Sequence, residues 1–433
     1  MNRTINKQFS FWLLIAVIVS FVSGCNPAKK DNSASLEFWT MQLKPTFTNY
    51  FNDLNTSFEA QNEAVELRWI DVPWSAMENK ILTSISAKTA PDVVNLNPKF
   101  ASQLATRNAW LNLDELVAPE VKAIYLPKIW DANSVEVCQE NNCSDRTFGI
   151  PWYLTTNITI YNQELLDKAG IEQPPTNYRQ LATAAKTIKE KTGKYAFFIS
   201  FVPNDSGDVL ESLVKMGVDL VDESGKAAFN TPQGKAAFQY WVDLYREQLL
   251  PPEALTQGHR YGIELYQMGE IALLSSGAEF IDSINNNAPS IAKVSALAPQ
   301  ISGETGEKSV AVMNLVIPRD TNKSQEALDY ALYVTNTENQ LAFAKASNVL
   351  PSTVEAVEQY IQAIEEREQT GLKEQAQKIS AAQLKDARVL VPIQKDLPIL
   401  QKAIYENLQA AMLKEKTVEQ ALKDAADEWD SRK

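Results

Sequence analysis

The sequence predicts an α/β protein built as two lobes, each a helix-flanked sheet. Strand and helix signals alternate as β-α-β-α-β from Leu36 to Asn97, an order that buries a parallel sheet under helices. A second α/β unit begins near Thr156, and 433 residues exceed what one hydrophobic core usually fills.

The elements follow from spacing. LEFWT reads as the first strand, and Pro45 suits the first turn of a helix whose Phe47, Phe51, Leu54 and Phe58 share one face. VELRWIDV is the second strand. Ser75 and Glu78 have capping-box spacing before a stripe of Met77, Ile81 and Ile85, and PDVVNLN is the third strand. Thr156 to Tyr161 forms another strand, followed by a helix through Leu165 and Leu166 that Gly170 ends at C′. Thr176 is placed to cap a helix carrying Tyr178, Leu181, Ala185 and Ile188, which Gly193 stops before a strand YAFFIS. Thr231 and Pro232 open a helix with Phe238, Trp241, Val242 and Tyr245 on one stripe, so Trp241 reads as core. EIALLSSGAEF, VSALAP and SVAVMNLVIP are strand-like, and the chain from Ser324 onward is almost wholly helical. Thr417 and Gln420 form a last capping box ahead of Val418, Ala421, Leu422, Ala425 and Trp429, which makes Trp429 packing.

The first residues read as an export signal. Arg3 and Lys7 precede an apolar run from Phe9 to Val22, shorter than the roughly twenty residues a spanning helix needs, although an uncleaved anchor is the rival reading. Val22-Ser23-Gly24-Cys25 resembles a bacterial lipobox, so residues 1–24 are expected to be a signal peptide and Cys25 the lipidated first residue of the exported chain. The polar segment 25–35 is then a tether. Two further cysteines, Cys138 and Cys143, flank the turn sequence QENN; a disulfide across it suits an oxidising compartment, against a zinc site that the single histidine, His259, is too remote to complete.

Composition narrows the function. The formal charge of −13 is spread without acidic runs, which argues against nucleic acid as a partner. No GxSxG, HExxH, Walker loop or GxGxxG occurs. A carboxylate-based glycosidase stays open in principle, yet no pair among the 54 acids is singled out by spacing.

The phrases PDVVNLNPKFASQLA, WLNLDELV, FGIPWY, YNQELLDKAGIEQPPTNYRQLATAAKTIKEKTGKYAF, AAFNTPQGKAAFQYWVDLY and ENQLAFAKASNVLPST, in this order behind a lipobox, resemble family 1 of the bacterial extracellular solute-binding proteins. That resemblance implies a periplasmic-binding-protein-like fold, with lobes joined by hinge strands and closing over a sugar or polyol. It implies a subunit of an ABC importer that delivers its ligand to permease subunits, is held outside the cytoplasmic membrane by its lipid alone, and is neither an enzyme nor a cofactor carrier. A monomer is expected. A phosphorylated polyol such as a glycerol phosphodiester is the alternative ligand. The lobes are expected at 36–158 plus 298–325 and at 159–297 plus 326–433.

Sugar sites need flat aromatics against C–H faces and acids or amides for hydroxyls. Trp39 ends the first strand where the resemblance opens a cleft. Trp74 follows Pro73 at a strand-to-helix junction, with helix-end packing as its alternative role. Asp92 leads into the third strand, where an ordinary turn carboxylate would also serve, and Asn97 sits at that strand's carboxyl edge. Trp152 and Tyr153 lie where the resemblance implies ligand contacts beside a hinge strand. Glu279 stands where the family often has an aromatic. Asn314, inside an apolar strand, and Arg388, just before VLVP, complete the set; a buried amide and a surface salt bridge are their alternatives.

Overall fold

The computed structural model describes residues 34–139, 142–203, 205–303, 306–367, 371–391 and 396–432. The signal, Cys25 and most of the tether lie outside the described residues. Among those residues no helix is long and apolar enough to cross a membrane.

Strands β1 (Ala34–Met41), β2 (Val65–Val72) and β3 (Val93–Leu96) form in chain order, joined by helices Thr48–Gln61 and Trp74–Ser86. β1 pairs parallel with both of the others, as alternation predicts. Phe51, Leu54 and Phe58 are buried on the first helix, whereas Pro45 lies in the turn before it. The second helix starts at Trp74 behind Pro73, with no side-chain cap, so Ser75 falls inside the first turn and its capping box does not form. A hairpin of β4 (Ser134–Gln139) and β5 (Asn142–Thr147) puts Cys138 directly opposite Cys143, and Cys143 is disulfide-bonded; the Cys138 side chain lies outside the described residues.

β6 (Ile150–Thr155) then leaves the first lobe, and after Thr156 the chain enters the second as β7 (Asn157–Asn162). β8 (Leu273–Gly277) and β9 (Ser295–Pro299) flank β7, both antiparallel to it. YAFFIS does not form a named strand: Tyr195 makes only an isolated bridge to Ile271. After β10 (Lys308–Ser309), β11 (Ala311–Val316) inserts antiparallel between β3 and β6, and β12 (Leu350–Pro351) closes the order β12-β6-β11-β3-β1-β2. The expected parallel sheet is therefore mixed, because the chain returns from the second lobe through the middle of the first. A short β13 (Ala387–Arg388) pairs with β10.

Two large cores define the lobes. One gathers residues of β1, β2, β3 and their helices with Met313, Leu315 and Val316; the other holds Ile158 to Ile284 and the C-terminal helices through Trp429. Trp241 and Trp429 are fully buried there, as their stripes require. The expected border at 325 is wrong. Helices Ser324–Val334 and Thr337–Ser347 pack on the first core through Ala327, Leu328, Tyr330, Val334 and Phe343, and Tyr330 donates to Asn55 across 2.6 Å. The second lobe regains the chain from the helix Leu372–Gln383 onward.

Buried amides clasp the crossing strands. Gln300 Oε1 accepts from Lys215 Nζ (2.9 Å) and from the Ser309 backbone (2.8 Å), while Gln383 Oε1 accepts from the Gln300 backbone (2.9 Å) and its Nε2 donates to the Asn157 carbonyl (3.1 Å). Each amide satisfies groups from different segments, which fixes the crossing beside a small apolar cluster of Leu154, Val310, Val312 and Leu350.

Candidate functional site

The parallel strands of the first lobe end at Met41, Val72 and Leu96, and β6 ends on the same edge, beyond the end of β3. Such a carboxyl edge is where open α/β sheets take ligands. Tyr153 stands on it. Burial raises the Tyr153 phenol well above its ordinary range, and the charges of Glu279 and Asp71 push it further up. Since Asp71 belongs to the first lobe and Glu279 to the second, Tyr153 lies within electrostatic reach of both walls.

The first-lobe wall is shaped by Asp71, just before the end of β2. Its Oδ1 accepts from Thr40 Oγ1 (2.7 Å) and the Leu43 backbone (2.9 Å), and its Oδ2 from the Lys44 backbone (3.0 Å), so one carboxylate fixes the turn after β1. Trp74 projects from the neighbouring rim and is 41% exposed, more than any other tryptophan among the described residues.

The second-lobe wall carries a compact group of ionisable side chains. Asp208 and Glu211 sit one turn apart on the helix Asp208–Lys215, on the side away from Val209, Leu210 and Leu213. His259 opens the helix His259–Gln267; its backbone N–H donates to Asp205 Oδ2 (2.7 Å), and its Nδ1 lies 3.5 Å from Asp208 Oδ2. Glu279 follows the carboxyl end of β8, half-buried.

The electrostatics are uneven across this wall. Burial alone would lower the His259 pKa, but the hydrogen bond and charge of Asp208 outweigh it and hold the imidazole above its ordinary value of 6.5. Burial would likewise raise Asp208, yet His259 keeps it below 3.8. Glu279 is raised by burial, which the nearby His259 only partly offsets. Glu211 is also raised, by burial and by Asp208 against the pull of Lys215. Lys215 itself is lowered by burial and is committed to Gln300. The wall thus offers several carboxylate acceptors, with its two cationic groups already engaged.

The remaining sequence-predicted residues lie elsewhere. Trp152 is 0% exposed: its ring stacks on Phe343 at 5.0 Å and meets Phe51 and Phe38, so the stacking surface expected of it is core packing. Trp39 is also buried, its Nε1–H bonded to Glu37 (2.6 Å) and Lys80 Nζ 4.1 Å from its ring centroid. Asp92 is at the amino end of β3, where it accepts from the Glu37 backbone, Thr321 and Lys323; it ties the sheet's far edge. Arg388 is an exposed partner of Glu307 on β13. Asn314 is fully buried within β11, beside Gly149, where an added Cβ would come within 3.1 Å of it. Asn97 is at the carboxyl edge but uses its oxygen to cap the helix Pro98–Ala105. The structure therefore brings together Tyr153, Glu279 and, on the rim, Trp74. Sequence reasoning missed Asp71, Asp208, Glu211 and His259; the three-residue spacing of Asp205, Asp208 and Glu211 was the available signal.

Comparison with known proteins assigns the chain to a family. The family model of the bacterial extracellular solute-binding proteins matches residues 41–341. The chain belongs to that family. It is a binding protein, not an enzyme. A structure from Synechococcus sp. MITs9220, described as a candidate oligosaccharide periplasmic-binding protein in complex with zinc, is 42% identical, with a TM-score of 0.86 over 91% of this chain and 98% of that one. Among the described residues, no group of three or more His, Cys, Asp or Glu side chains is arranged to hold a metal here. A binding protein of Brucella abortus is 23% identical over 64% of this chain and 66% of its own length. The arabinooligosaccharide-binding protein of Halalkalibacterium halodurans is 23% identical over 71% of this chain and 68% of that one. The match thus spans about two thirds of these curated relatives.

Proposed function

We propose that the protein captures a neutral sugar or oligosaccharide between its lobes, outside the cytoplasmic membrane, and hands it to the permease of an ABC importer. The observation that carries this is the pairing of Asp71 and Tyr153 on one lobe with Glu279, Asp208 and His259 on the other. Sugar hydroxyls donate to carboxylates at little electrostatic cost, whereas a phosphate would meet like charge on both walls. A phosphorylated polyol therefore has no support from this lining. Trp74 supplies an exposed ring for a C–H face. Relatives named for arabinooligosaccharide, diacetylchitobiose and mannitol point to the same ligand class. The lipobox at Cys25 supports anchoring by lipid, since two or more acyl chains hold a soluble domain at a bilayer.

A thermal-shift screen tests the ligand class. Ligand that binds only the folded state raises the midpoint by mass action, so at least one neutral oligosaccharide should raise it in a saturable way. A shift given by phosphorylated polyols alone would overturn the proposal. For the anchor, Cys25→Ser should move the protein from the membrane pellet to the soluble fraction; retention in the pellet would favour the uncleaved anchor.

A further inference from the structure

A second pocket, of about 190 Å³, opens at the opposite end of the first lobe from the cleft. Leu82, Ile85 and Leu104 give it an apolar floor, and Lys88, Arg107 and Arg319 stand around it. In a chain of net charge −13, these three cations share the pocket with one carboxylate, Asp320. None of the three side chains forms a hydrogen bond or ion pair with a described residue. Elsewhere the protein pairs its basic groups freely, as Lys323 with Asp92 and Arg388 with Glu307. Three unpaired cations lining one concave surface are an anion site in charge and shape, and the planar guanidinium fork matches a tetrahedral oxyanion through paired N–H donors.

We propose that this pocket binds a phosphate group, held by Lys88, Arg107 and Arg319. Its position suggests the source. Thr321, on the pocket wall, donates to Asp92, which accepts from Lys323; Lys323 also donates to the carbonyl of Ser35 at the start of β1. The pocket therefore borders the point where the chain arrives from Cys25. Eight residues lie between Cys25 and Ala34, and the nine steps that join them have a contour of at most about 32 Å. If Cys25 carries the lipid, a tether of this length keeps this end of the lobe within about 32 Å of the bilayer, and the phosphate is that of an anionic headgroup. The phosphate site stands on the pocket alone; only the lipid source rests on the anchor reading.

Equilibrium dialysis of the purified protein against radiolabelled inorganic phosphate tests it, with glycerophosphoglycerol and glycerophosphocholine as competitors. Saturable binding is expected, weakened about tenfold or more in the double variant Arg107→Gln, Arg319→Gln, because two charge-assisted donors are replaced by neutral amides. An unchanged melting temperature in that variant, and a smaller loss in Lys88→Gln, separate the effect from misfolding. Displacement by glycerophosphoglycerol, but not glycerophosphocholine, assigns the site to an anionic lipid headgroup; phosphate binding without displacement assigns it to a free anion. Absence of saturable phosphate binding, or equal binding by the double variant, overturns the proposal.

Discussion

Replacing Trp152 separates packing from recognition. Its ring is enclosed by Phe38, Phe51, Tyr153 and Phe343, with centroids between 5.0 and 6.3 Å away, and none of it reaches solvent. Truncation to alanine opens a cavity that these rigid rings cannot fill, so the cost should be about 3 to 5 kcal/mol. For a lobe of this size each kcal/mol moves the midpoint by about 2 to 4 °C, which gives a drop of about 6 to 20 °C. Trp152→Phe distinguishes volume from polarity. The indole N–H has no hydrogen-bond partner among the described residues, and leaving such a donor buried costs about 1 to 3 kcal/mol. Phenylalanine removes that penalty while leaving a smaller void, so its net cost should be about 2 kcal/mol or less. Thermal melts and titration calorimetry on both variants decide the matter. If Trp152→Ala melts like the parent but loses its ligand, the ring belongs to the site and the packing argument fails.

Four further outcomes are expected. Trp74→Ala should weaken sugar binding by about tenfold while shifting stability by less than about 0.5 kcal/mol, since the residue lies on the surface outside the core; a lowered midpoint with normal binding would make it a packing residue. Affinity should fall on acidification through a pH above the ordinary glutamate value of 4.5, because burial raises Glu279 and Glu211 and protonation removes acceptors; a flat profile down to pH 4 would exclude them. The His259–Asp208 pair has a raised histidine and a lowered aspartate, so its stabilisation is full between the ordinary values of 3.8 and 6.5. It is lost as pH rises through the folded histidine value or falls through the folded aspartate value, and His259→Gln should remove both flanks from urea midpoints measured against pH. Gln300→Ala should cost about 2 to 3 kcal/mol by removing the acceptor of the buried Lys215 ammonium and of the Ser309 backbone, and a cost below about 1 kcal/mol would show that the crossing strands do not depend on the clasp.

How far the sequence was legible depends on whether the signal was local. Helical stripes such as Phe51, Leu54 and Phe58, or Phe238, Trp241 and Val242, report which face is buried, and the structure buries those faces. Thr231 and Thr417 cap their helices as read, while at Thr176 the cap moves one residue to Asn177, whose side chain also accepts from a backbone N–H three residues on. A stripe does not say which sheet will receive it. That is why the helices Ser324–Val334 and Thr337–Ser347 pack on the first lobe where the expected border assigns them to the second, and why the return of β11 through the first sheet is not legible from local pattern. The site was less legible for a related reason. Asp208 and Glu211 occupy the polar side of an amphipathic helix, where acids are ordinarily solvated, and only the arrival of His259, some fifty residues later, marks them. Trp39 and Trp152 face the core because a strand residue beside a cleft can point either to the ligand or inward, and at Trp152 the alternation is broken by a bulge in β6: Tyr153 pairs with Met313 and Pro151 with Asn314.

In the proposed complex a neutral sugar is held between the two walls by their carboxylates. The direct test is calorimetric titration with a panel of neutral oligosaccharides and phosphorylated polyols, comparing the parent with the double variant Asp208→Asn, Glu279→Gln. At least one neutral oligosaccharide should bind the parent and bind the variant about tenfold or more weakly, since two charge-assisted acceptors are replaced by neutral amides. Equal sugar affinity in the two proteins, or tight binding confined to the phosphorylated compounds, would contradict it.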